Sequence, residues 1–203
     1  MSKVQLFVGD LPKKIQFDKS VAIDTETMGL NLHRDRLCLV QLCDAKGNVY
    51  LVQIKKGVKC PNLTALLTNK KILKIFHFAR FDVAKIKNDL GVVVEPVYCT
   101  KIASKLCRTS SPSHSLKALC NDVRGRQLCK EQQTSDWGAE KLSEEQQQYA
   151  AGDVLYLHEI KKHLDGLLKR EGRMKLAQDC FAFLPVRAEL DLLDFDEPDI
   201  FKH

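Results

Sequence analysis

Val21-Ala22-Ile23-Asp24-Thr25-Glu26-Thr27 is the stretch from which the rest of the chain is read. It opens apolar and β-branched, so a buried strand is expected over Ser20–Thr25. It then places two carboxylates two residues apart. Side chains at that spacing leave a strand on the same face, so Asp24 and Glu26 reach one point together. An ionised carboxylate among buried residues is costly unless something positive compensates it.

Two later segments repeat the pattern of an acid beside apolar residues: Phe76-His77-Phe78-Ala79-Arg80-Phe81-Asp82 and Tyr149-Ala150-Ala151-Gly152-Asp153. Asp82 is expected to open a helix after a strand ending at Phe76, near the positive end of the helix dipole. Asp153 falls inside a long predicted helix, with Tyr149 one turn earlier on the same face. Each has an ordinary reading alone: an exposed acidic pair, an N-cap at Asp82, a surface Asp153, a packed Tyr149. Taken together, four converging carboxylates repel one another unless divalent cations sit between them. Oxygen-only ligands favour Mg²⁺ or Mn²⁺ over zinc. That is the logic of a two-metal site that cleaves phosphodiesters.

The bulk properties agree with this and add little. The 203 residues are 44% hydrophobic and 29% charged, enough for one domain with a full core. A net charge of +6 suits a polyanionic ligand without requiring one. The N-terminus reads as strand and turn, not as a signal peptide, and no apolar run reaches the ~18 residues that cross a bilayer. A soluble, cytoplasmic protein is expected, with no membrane partner. The eight cysteines show no C-x-x-C and no zinc-ligand spacing, and are read as small buried hydrophobes in a reducing compartment.

Strands are expected at Lys3–Val8, Ser20–Thr25, Arg36–Leu42, Val49–Ile54 and Lys71–Phe76, the early ones antiparallel because their connections are short. Helices are expected at Leu63–Thr68, Arg80–Leu90 (ending at Gly91), Tyr98–Cys107, Ser115–Cys120 and Met174–Leu184. Asp122–Trp137 reads as irregular. One long helix is expected from the capping box Ser143-Glu144-Glu145-Gln146 to Leu168. With no repeat or linker, residues 1–203 are read as a single mixed α/β domain.

These motifs resemble the DEDD superfamily of 3′–5′ exonucleases, of which ribonuclease D is the familiar member. The D-x-E motif matches Asp24 and Glu26, the second acidic motif Asp82, and Y-x-x-x-D matches Tyr149 and Asp153. The histidine subtype would place His where this chain has Gln148, so the tyrosine subtype is indicated. The chain is also similar to the short nanoRNase C (oligoribonuclease C) family of alphaproteobacteria. Arg34-Asp35-Arg36-Leu37-Cys38, Cys99–Leu106, Ser135-Asp136-Trp137 and the tail Leu190–Leu193 with Asp199-Ile200-Phe201 carry that likeness.

The resemblance implies a ribonuclease H-like fold, a mixed central sheet flanked by helices. It implies two Mg²⁺ or Mn²⁺ ions, with Asp24 bridging both, Glu26 and Asp153 on the nucleophile side, and Asp82 serving the other. Tyr149 is too weak an acid to be an efficient base and is expected to orient the attacking water. The implied substrate is very short RNA, dinucleotides especially, hydrolysed to nucleoside 5′-monophosphates. A broader 3′–5′ exonuclease on longer RNA or DNA is the alternative. A silent nucleic-acid-binding protein is a third reading, against which the complete acidic set argues. Thr25, Leu30, His77 and Phe81 are the expected substrate contacts. Leu30 is read either as a wedge between bases or as a core plug, and Phe81 as a stacking or a core residue. Arg108, His114 and Lys117 are read as a solvated basic loop, with a 5′ phosphate as the competing use. The apolar tail, residues 186–203, is expected to fold back or to dock on a neighbouring subunit. The resemblance to ring-like homo-octamers favours docking.

Overall fold

The structure, a computed structural model, describes residues 3–125, 134–195 and 199–201. Its centre is β3 (Leu37–Cys43), in which every residue is buried. A strand covered on both faces gains stability from nearly every side chain, with ~1.5–3 kcal/mol for each large one fully buried. β2 (Ser20–Thr27) and β4 (Val49–Gln53) flank it, both antiparallel as the short connections predict. β5 (Leu73–Phe76) and then β6 (Val97–Cys99) extend the sheet in parallel beyond β2. The full order is β1-β4-β3-β2-β5-β6, a mixed sheet flanked by helices.

β1 (Val4–Val8) departs from the antiparallel expectation: it forms the edge and pairs parallel with β4. Residues 9–19, which follow it, are too long for a hairpin and return the chain to the sheet centre. Tyr98 is likewise not helical. Val97–Cys99 is buried and pairs with β5, so α3 begins only at Thr100 and runs to Cys107.

α1 (Pro61–Thr68) and α2 (Ala79–Leu90) lie close to their predicted bounds, and α2 ends on Gly91 in the left-handed region at φ 69°. α4 (Leu116–Arg124) extends a turn beyond its expected end, into the stretch read as irregular. Residues 126–133 of that stretch, Cys129 among them, lie outside the described residues.

The predicted long helix is two: α5 (Glu144–Leu155) and α6 (Leu157–Arg170), parted at Tyr156. Tyr156 keeps near-helical torsions (φ −103°, ψ −1°), so the apolar spacing runs through the break unaltered and sequence periodicity does not reveal it. The capping box is present, with Ser143 Oγ accepting from Gln146 N at 3.2 Å and Gln146 Oε1 from Ser143 N at 2.9 Å.

α7 runs from Met174 to Leu192, straight through Pro185. Proline normally ends such a helix, but here packing against α2 carries it on. The predicted tail therefore divides. Arg187, Ala188 and Asp191 are buried in their own chain, whereas Leu193, Phe195, Ile200 and Phe201 are exposed. Seven cysteines are described, all free thiols, six of them buried. Among the described residues no helix is long and apolar enough to cross a membrane.

Candidate active site

Asp24 and Glu26 stand late in β2, and α5 crosses β2, β3 and β4 so that Asp153 meets them. One carboxylate oxygen from each of Asp24, Glu26 and Asp153 lies within 4.8 Å of the other two. Thr25, between the two β2 acids, points by strand alternation to the other side. There its hydroxyl donates to Asp82 Oδ1 at 2.6 Å. Asp82 sits in the first turn of α2 but does not cap it. That place is taken by Phe78, in the left-handed region at φ 67°. The strand end thus holds three carboxylates directly and a fourth through Thr25.

Burial sets the electrostatics, and mutual repulsion adds to it. Burial first, then Asp82, Asp153 and Glu26, push the Asp24 carboxyl well above the usual carboxylate range. Glu26 is pushed up to about 9 by burial, then by Asp153 and Asp82. Burial also raises Asp82 and Asp153 to about 7, against the lowering pull of the Thr25 and Tyr149 hydroxyls respectively. Tyr149 itself is raised above its ordinary value by burial and the carboxylates around it, so it keeps its proton at neutral pH. Such a cluster holds protons until cations replace them. Its donors are all oxygens, which fits hard divalent ions of the Mg²⁺ or Mn²⁺ type.

The remaining predicted contacts lie on the segments that follow β2 and β5. Leu30 is 84% exposed, which removes the core-plug alternative. Phe81 is half-buried, and with Leu30, Phe78 and Arg80 it lines a groove of about 300 Å³. His77 Nδ1 lies 2.9 Å from Thr100 Oγ1. The Thr100 hydroxyl donates to Phe76 O at 3.1 Å, so its oxygen must accept from Nδ1–H. That tautomer leaves Nε2 as an acceptor. Burial and Lys101 push the imidazole down to about 4, so it is neutral at pH 7. Arg108 and His114 are not a solvated pair. His114 Nδ1 is 2.9 Å from the buried Ser104 hydroxyl, and Arg108 reaches both Ser104 and Asp122.

Sequence reasoning missed three neighbours. Gln41 is fully buried opposite Asp24 on β3, its Nε2 3.5 Å from Asp24 Oδ2. Its signal was a lone amide in the apolar run Leu37–Cys43. Trp137 packs on Tyr149 at 6.0 Å between ring centroids. Phe78 lies under the Lys101 ammonium, 3.9 Å from the ring centroid. The sequence gives no sign of its left-handed backbone.

Comparison with known proteins bears on this geometry. The family described as a 3′–5′ exonuclease matches residues 6–169. Ribonuclease D of Bartonella henselae is 34% identical over 164 residues, which is 81% of this chain and 40% of that protein. The chain thus spans about two fifths of the length of the curated relatives it matches. Among solved structures, Brucella melitensis NrnC is 50% identical with a TM-score of 0.95, over 99% of this chain and 98% of its own. NrnC has been solved bound to pGG (49% identity, TM-score 0.96, all of both chains). It has also been solved with bound Mg²⁺ (48% identity, TM-score 0.94, 99% of each chain).

Proposed function

Because the chain belongs to the 3′–5′ exonuclease family, on its ribonuclease D and NrnC branch, we propose that it is a metal-dependent exoribonuclease of very short RNAs. Dinucleotides are its preferred substrate and nucleoside 5′-monophosphates its products. The observation that carries this reading is the approach of the Asp24, Glu26 and Asp153 oxygens within 4.8 Å, with Asp82 tied in through Thr25. The pGG and Mg²⁺ bound by the Brucella relative support the same ligand classes here.

Asp24, Glu26 and Asp153 would hold the cations, with Asp82 completing the tyrosine-subtype set. Two divalent ions in that cradle would supply an activated water and charge stabilisation for the leaving 3′ oxygen. Tyr149, protonated and beside Asp153, orients the attacking water and does not take its proton. His77 Nε2 accepts from a ribose hydroxyl, while Leu30 and Phe81 contact the bases. Thr25 acts through Asp82. Residues 1–203 form one exonuclease domain, and the exposed Leu193, Phe195, Ile200 and Phe201 support docking of the tail on a second copy.

The test is a time course with Mn²⁺ on 5′-labelled RNAs of two and seven nucleotides, with Asp24→Ala beside the wild type. Rapid loss of the dinucleotide and slow loss of the longer RNA is the expected result. Equal stepwise shortening of both would replace the dinucleotidase by a broader exonuclease. Full activity of Asp24→Ala would remove the assignment of the site.

A further inference from the structure

Leu30 is an apolar side chain in solvent, yet the backbone that carries it is tied down on all sides. Met28 N donates to Arg36 O at 3.1 Å across the base of the loop, and the Thr27 hydroxyl donates to Gly29 O. Asp35 Oδ2 accepts from Asn31 N at 3.0 Å, while Asn31 Oδ1 accepts from His33 N at 3.0 Å and Arg34 N at 2.8 Å. Gly29 runs so close to Asp35 that a Cβ there would stand 2.4 Å from its Oδ2.

Beneath the loop lies Lys85, only 1% exposed. Its ammonium donates to Leu32 O at 2.8 Å and pairs with Asp89 Oδ1 at 2.7 Å. Asp89 Oδ2 in turn accepts from Leu37 N at 2.5 Å, at the first residue of β3. One buried ion pair therefore grips the loop on its far side and again where it rejoins the sheet. Both partners come from α2. Asp82, Lys85 and Asp89 follow each other at helical spacing along one stripe of that helix. The rod that presents Asp82 to the acidic site also anchors the loop that presents Leu30. Filling the position under Leu32 with an apolar side chain would cost no charge burial. A buried lysine there makes sense where position is what has to be specified.

We propose that Lys85 is a positioning residue for substrate. It fixes Leu30 relative to Asp82, so that the groove of Leu30, Phe78 and Phe81 seats the bases with the scissile phosphate over the carboxylates. This rests on the reading of Leu30 as a base contact. The role differs from simple stability because it bears only on substrates with a second base.

Two substrates separate the possibilities: pGG, and the p-nitrophenyl ester of thymidine 5′-monophosphate, which offers one base. Lys85→Met should raise KM for pGG roughly tenfold, the lower part of what one base stack is worth. Its kcat should hold within about threefold, and its kinetics on the ester should not change. Leu30→Ala should raise KM for pGG by a similar factor, and adding Lys85→Met to Leu30→Ala should raise it no further, because both act through one contact. Lys85→Arg, which keeps the charge and the donors, should recover most of the KM. Equal loss on both substrates, or additive effects in the double variant, would overturn the proposal while leaving the exonuclease reading intact. A wild type inactive on both substrates would overturn that reading and this one with it. Should Lys85→Met not fold, Asp35→Asn loosens the same loop from its other side. It must then give the selective rise in KM, and an unchanged KM would end the proposal.

Discussion

Two groups of acids sheltered from solvent are treated in opposite ways, one around Asp191 and the other around the end of β2, where Asp82 is buried and Asp24, Glu26 and Asp153 are half-buried. Asp191, in α7, is enclosed by cations from its own chain. Arg80 reaches it with two bonds of 2.7 Å, and Arg187 with bonds of 3.0 and 2.7 Å. Arg187 continues to Asp199 at 3.0 Å and to Phe195 O at 2.9 Å, which holds the chain after α7 against that helix, while Arg80 ties α7 to α2. The four acids around β2 have no such partner: among the described residues their contacts are a threonine, a tyrosine and a glutamine. A buried acid with its own arginine is architecture. A half-buried group of acids without one is where a cation from outside would be favoured.

Four substitutions or conditions break or sharpen that contrast. The largest effect belongs to Asp24→Ala. Loss of several kcal/mol of charge stabilisation should lower kcat on a dinucleotide roughly 10³-fold or more, with RNA binding retained. A loss under about tenfold, within the reach of a single peripheral contact, would end the distinction between the clusters. Arg187→Met should cost about 3 kcal/mol in urea unfolding, the lower end for breaking a buried pair because Arg80 still serves Asp191. A cost under about 1 kcal/mol would reduce the network to the level of a surface ion pair. Gln41→Leu, which removes the amide facing Asp24, should weaken Mn²⁺ binding ~10–100-fold by isothermal titration. Unchanged affinity would leave Gln41 a packing residue.

The smallest effect is the dependence of stability on pH without metal. The carboxyls of Glu26, Asp82 and Asp153 are raised in the folded state, so the folded protein binds more protons than the unfolded chain. Their contribution is fully present below the unfolded values of about 4 and is lost as pH rises through about 7 and then about 9. Metal-free protein should therefore melt a few degrees lower at pH 8.5 than at pH 6, at ~2–4 °C per kcal/mol. Added Mg²⁺ should raise Tm more at the higher pH. An equal rise at both would show that the acids are not linked to the ion.

Much of this was readable because the sequence concentrates the chemistry in short, regular elements. Alternation on β2 was enough to put Asp24 and Glu26 on one face, and helical spacing placed Tyr149 and Asp153 together within α5. The fold class and most element bounds follow the same periodicities. What escaped depends on relations between elements. β1 is parallel to β4 because of where residues 9–19 lead, which no local pattern states. The break at Tyr156 leaves the apolar spacing intact, and α7 outruns its proline through contacts with α2. Gln41 and Lys85 are polar residues whose partners no local pattern indicates. Only the register of β3 on β2, and the path of the 28–36 loop over α2, give them partners.

The six buried thiols are a last consequence of the way the core is built. Cys38 and Cys43 belong to β3, Cys99 to β6, Cys107 to α3 and Cys120 to α4, and Cys60 precedes α1. Burial pushes Cys43 and Cys120 up to about 12 and raises the other four as well. Alkylating reagents attack thiolates, so each sulfur stays silent while its element is closed and becomes reactive only when that element opens. The chain thus carries native clocks across its sheet and helices, and the order in which they are labelled is the order in which its parts come undone.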